Sequence, residues 1–126
     1  MSREDFISKY NAIAERALSF AEKAEREGLL SLEDFLDKEK INNRDIFEYG
    51  MLLVIDGTDY DLIELIIDNI IEQEKDANIR KLKTIQKAAV LGMQTGTNSR
   101  LQYFTLNSFT DLPLNEDAQN KKFGPC

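Results

Sequence analysis

Three aspartates, Asp56, Asp59 and Asp61 in "DGTDYD", are the first side chains in this 126-residue chain with the type and spacing to hold a cation. A calcium loop alternates its acidic ligands and places a glycine directly after the third, where the chain must turn sharply around the ion. Here Gly57 follows the first aspartate instead, so the pattern predicts helix capping and no metal. A second stretch, "GMQTGTNSR", has glycines but lacks the Gly-Lys-Ser or Gly-Lys-Thr ending of a phosphate cradle. Helix packing at Gly92 and a helix stop at Gly96 account for it, and neither a nucleotide nor any other cofactor is expected. There is no histidine, and the one cysteine, Cys126, is the last residue, so the common general bases and nucleophiles are missing. Only carboxylates remain, and the chain is expected not to be an enzyme.

Charge points to binding instead. Ten acidic residues between positions 45 and 79, from Asp45 to Asp76, are opposed only by Lys75, and Arg80, Lys81, Lys83 and Lys87 follow close together. An acidic region thus abuts a basic one, which reads either as two solvated helix faces or as an electrostatic docking surface. The net charge of −7 argues against nucleic acid, because phosphate neutralisation needs a basic face. A lone terminal cysteine forms no internal disulfide, and "MSREDFISKY" lacks the basic start and apolar run of a secretory signal. A cytoplasmic address is the expectation.

The elements that must position these charges are helical. Ala, Leu, Glu, Lys, Gln and Arg fill most of a chain with only two prolines, which favours an all-α fold over strands. The length suits one hydrophobic core and predicts one domain over residues 1–112, with a flexible tail over 113–126. Ser2 with Asp5 resembles a capping pair that opens a first helix, with Phe6, Tyr10, Ile13, Ala17, Phe20, Ala21 and Ala24 at helical spacing until Gly28 stops it. Ser31 with Asp34 predicts a short capped helix in "SLEDFLDK", "KEKINN" a polar connection, and "RDIFEYGMLLVI" a third helix in which Gly50 marks close packing.

The most apolar stretch, "YGMLLVIDGTDYDLIELIIDNIIEQE", is broken by Asp56, Asp59, Asp61, Glu64 and Asp68 and is too charged to span a bilayer. It reads as a stop at Gly57 and a new helix capped by Thr58 with Asp61, apolar over more than half of its circumference and central to the core. The next stretch keeps the helical period through Ile79, Leu82, Ile85, Ala89 and Met93, either continuing that helix or following a kink near Asp76 to Asn78. Asn98 caps a last helix with Leu101, Phe104 and Leu106 facing inward, ended by Pro113. About five helices result.

Two of these stretches resemble a known family. "AEKAEREGLLSLEDFL" (Ala21 to Leu36) is similar to the A-x-x-A-R-x-x-G-L-L-x-L-E signature in the cytoplasmic segment of the flagellar stator family MotA/PomA, and "DGTDYDLI" to the D-G-T-D-P-E-L-I that follows it. Order and spacing agree over about a third to a half of the chain. The resemblance implies a soluble MotA-like protein without the family's membrane helices, which does not conduct ions by itself. It implies protein binding in motility, as an adaptor or regulator at the stator-rotor interface, with the rotor switch protein FliG or stator components as partners. Of the family's charged pair, the glutamate falls on Glu33; the arginine position falls on Glu25, with Arg26 one step later. Glu25, Arg26 and Glu33 are therefore candidate protein-binding residues from the resemblance, and Arg80, Lys81 and Lys83 from the charge map. The alternative is a structural helical protein that self-associates through the apolar face of residues 62–71.

Overall fold

The side chain of Ser2 accepts a hydrogen bond from the Asp5 N–H, and helix α1 runs from there over Arg3–Glu27. This is the opening the sequence predicts, and Gly28, with a φ of +87° that favours glycine, closes the helix as its N–H bonds back to the Ala24 carbonyl. The computed structural model describes residues 1–114. Most of the predicted tail over 113–126, including Cys126, lies outside the described residues.

Beyond Gly28 the chain departs from expectation. The short helix predicted in "SLEDFLDK" is a 3-10 helix, η1, over Leu29–Phe35, and it has no side-chain cap. Ser31 Oγ donates to the Gly28 carbonyl at 2.6 Å, so Ser31 closes the preceding turn and does not cap a new helix with Asp34. The expected connection "KEKINN" is itself helical: α2 spans Lys38–Asn42, with the Asp37 side chain accepting from the Lys40 N–H. Asp45 then caps α3 (Ile46–Ile55), accepting from the Glu48 N–H at 3.0 Å.

The two helices read from the apolar stretch meet at Gly57, whose φ is +79°. Helix α4 covers Tyr60–Glu72, preceded by Asp59 at the cap position and without a side-chain cap bond, so the Thr58–Asp61 cap does not form. Instead the Thr58 carbonyl accepts from Gln94 Nε2 at 3.1 Å and ties this corner to the end of α5. Helix α5, Ala77–Gln94, is separate from α4: Asp76 Oδ1 accepts from both the Asn78 and Ile79 N–H groups and starts it anew. Of the two readings of this region, the break is the one observed. Helix α6 runs Ser99–Asn107 behind an Asn98 cap and ends at Ser108, five positions before Pro113.

The fold is all-α, with six α-helices, one 3-10 helix and no strand among the described residues. Helix α1 packs on η1, α5 and α6, while α3 packs on α2, α4, α5 and η1. Phe20, Leu32, Ile46, Met51, Ile63, Ile67, Ile85 and Leu106 are fully buried where these faces meet. Such apolar burial, about 1.5–3 kcal/mol for a large aliphatic or aromatic side chain, is the main force holding the helices together. Gly50 packs as predicted, because a Cβ added there would lie 2.6 Å from Val90 Cγ2. The register of α6 differs from the prediction: Gln102, Tyr103 and Leu106 are buried, Phe104 is half-buried and Leu101 is exposed. No helix among the described residues is long and apolar enough to cross a membrane.

Candidate protein interface

The stretch "EREGLLSLE" forms a corner at the far end of α1. Gly28 turns the chain out of the helix, and Leu32, fully buried, anchors the 3-10 turn against the core. With three residues per turn, Leu29 shares the face of Leu32, while Leu30 and Glu33, also three positions apart, share a different face that points outward. Leu30 is 73% exposed, and Arg26 and Glu33 are exposed as well. The corner therefore exposes a cation at Arg26, an anion at Glu33 and an apolar tip at Leu30.

Glu25 serves the fold instead. Its carboxylate accepts from the Ser99 N–H, with Ser99 Oγ 3.4 Å from its second oxygen, at the start of α6. An anion at a helix N-terminus satisfies free N–H groups and meets the positive end of the helix dipole. Arg26, one position on, is turned by about 100° from it. The charge of Arg26 meets no acidic side chain within ion-pair distance among the described residues.

The basic trio lies elsewhere. Lys81 Nζ sits 5.8 Å from the centre of the Phe6 ring, near the beginning of α1, whereas Arg26 is near its end. Twenty helical positions at 1.5 Å each separate Phe6 from Arg26 by about 30 Å. The structure thus does not join the two candidate sets into one site. Within the trio, Lys83 is paired with Glu74 at 2.9 Å, and Arg80 donates to the Glu74 carbonyl at 3.3 Å. The Lys83 hydrogen bond holds the Glu74 carboxyl below its ordinary range. Lys87 bridges Asp68 at 2.8 Å and Glu64 at 3.3 Å. Burial pulls its ammonium down, but the two carboxylates outweigh that and push it up. Much of the acidic-basic boundary is accordingly satisfied within the molecule.

No known protein family, curated protein or solved structure matches this chain. Its chemistry must be read from its own side chains. Among the described residues no group of three or more His, Cys, Asp or Glu side chains converges as a metal cage, Asp56, Asp59 and Asp61 included. Among the described residues, the charge pair built deepest into the molecule is Arg16 with Glu48, whose carboxylate is 1% exposed and accepts from Arg16 Nη2 at 2.6 Å and from the Asp37 N–H at 3.0 Å. Sequence reasoning did not find this pair. The available signal was one carboxylate, Glu48, at an inward position of an otherwise apolar helix.

Proposed function

We propose that this chain acts by protein-protein binding through the corner at Arg26, Leu30 and Glu33, as a MotA-like adaptor or regulator at the stator-rotor interface of a flagellar motor. The supporting observation is that the residues carrying the family resemblance form an exposed corner: Leu32 anchors it, and the charges and Leu30 face solvent. A surface of this kind suits transient engagement, because complementary charge gives association rate and selectivity without a large apolar area. The partners in this reading are FliG or stator components, the location is the cytoplasmic side of the motor, and the role is not enzymatic.

The test is binding of the purified chain to the rotor switch protein at rising salt, alongside swimming speed in cells. With Arg26→Glu and Glu33→Lys combined, binding and swimming should both fall while the circular dichroism spectrum stays that of the parent. Affinity of the parent should weaken as salt rises, since exposed charges are screened over about 8–10 Å at physiological strength. Parental binding and swimming in the reversed variant would remove this reading. If reversal of Arg80, Lys81 and Lys83 alone impairs both, the docking surface is the opposite end of α1.

A further inference from the structure

Helix α4 carries two apolar stripes, and among the described residues only one of them is buried. Ile63, Ile67 and Ile71 are buried on the core side. On the opposite side, Leu62 is 49% exposed and Leu65 is 56% exposed, with Ile66 half-buried beside them. At about 100° per residue, positions 62, 65, 66 and 69 form a continuous outward strip. Single exposed leucines are ordinary, but three large aliphatic residues at spacings of three and four on one outward face form the seam by which helices pair.

The charge beside this strip selects its occupant. Asp61, Asp68 and Glu72 recur at spacings of seven and four along one edge, all exposed. Asp68 is engaged by Lys87, while Asp61 and Glu72 have no cationic partner within ion-pair distance among the described residues. We infer that the outer face of α4 docks a basic amphipathic helix of a partner protein, whose apolar side covers Leu62, Leu65 and Ile66 and whose Lys or Arg side chains meet Asp61 and Glu72. A second copy of this chain is a poorer occupant. Antiparallel pairing of α4 with itself sets acidic edge against acidic edge, and each chain brings a net charge of −7. An anionic lipid surface is repelled by the same edge. This surface is independent of the corner at Arg26 and Glu33.

The experiment uses the full chain and a fluorescent synthetic peptide of leucine and lysine, about 16 residues long, with leucines at helical spacing on one face. A scrambled peptide of equal composition is the control for charge alone. Saturable binding of the ordered peptide is expected. Leu62→Ser with Leu65→Ser should weaken it at least about tenfold, and Asp61→Lys with Glu72→Lys should weaken it comparably. All four positions are exposed, so both variants should keep the parental dichroism. Absence of saturable binding, equal binding of the scrambled peptide, or unchanged affinity in both variants would overturn the inference. A dimer in sedimentation that Leu62→Ser and Leu65→Ser dissolve would also overturn it, by assigning the face to a second copy.

Discussion

Arg16 and Glu48, separated by 32 positions in the chain, meet at 2.6 Å with the carboxylate almost completely shielded from water. The guanidinium also lies over the rings of Phe20 and Phe35, at 4.6 and 4.9 Å from their centres, and donates to the Phe35 carbonyl at 2.7 Å. One side chain of α1 thereby fixes both the end of η1 and the inward carboxylate of α3.

Removing the cation alone should therefore be costly. Arg16→Met leaves Glu48 buried without its charge partner and should lower stability by about 3 kcal/mol, a large share of the roughly 5–15 kcal/mol typical of a domain. Replacing both residues by methionine should cost less than the single change, because the stranded carboxylate disappears with its partner. Urea denaturation of the two variants checks the order, and a double variant no more stable than Arg16→Met would show that the pair is not coupled.

Gly50 and Val90 define the closest approach of α3 and α5. A Cβ at position 50 would meet both Val90 methyl carbons, at 2.6 and 2.8 Å, and the neighbour is a branched side chain within a helix. Gly50→Ala should destabilise by about 1–3 kcal/mol through overpacking, which exceeds the helix propensity alanine gains. Adding Val90→Ala should recover part of that loss. Thermal melts of the single and double variants make the comparison, and an additive loss would show that the two positions do not clash.

Glu25, Arg26 and Glu33 separate structural from surface charge within one short stretch. Glu25→Ala removes the acceptor at the start of α6 and should cost about 1 kcal/mol, as loss of a helix-end partner does. Arg26→Ala and Glu33→Ala should each stay within about 0.5 kcal/mol of the parent, because neither side chain is buried or paired. Chemical denaturation distinguishes them, and equal losses at all three positions would contradict this division.

Much of the fold is legible in sequence because helix ends are written in local chemistry. Ser2, Gly28, Gly57, Gly96 and Asn98 each mark the boundary their side chains or φ angles suit. Near Leu32 the structure departs from the local pattern: burial of that leucine draws residues 29–35 into a 3-10 turn, a tertiary demand invisible to a capping pattern. Thr58 and Leu101 differ from the expectation for a related reason, since a cap and an inward face depend on the approach angle of the whole helix. The wide apolar surface of α4 was visible, but its division into a core stripe and an outward stripe required knowing where α3 and α5 lie. In the candidate corner, Arg26 and Glu33 are the residues the resemblance selects, and both are exposed. That Glu25 serves α6, 74 positions away, was not legible.

The two attachments of α1 to the region of α6, Arg3 to Asp111 at 3.0 Å and Glu25 to Ser99, join the first and last helices of the described chain. Ribosomes add roughly 5–20 residues each second, so the roughly 80 residues from Gly28 to the end of α6 at Asn107 correspond to about 4–16 s. Throughout that interval the flank of α1 that α6 covers has no native neighbour, although the helix itself has been made. Early local helices of this kind form within microseconds once released, far faster than the next element is supplied. The order of synthesis, more than the speed of folding, therefore sets how long the nascent chain shows an open apolar flank to chaperones or to other copies of itself.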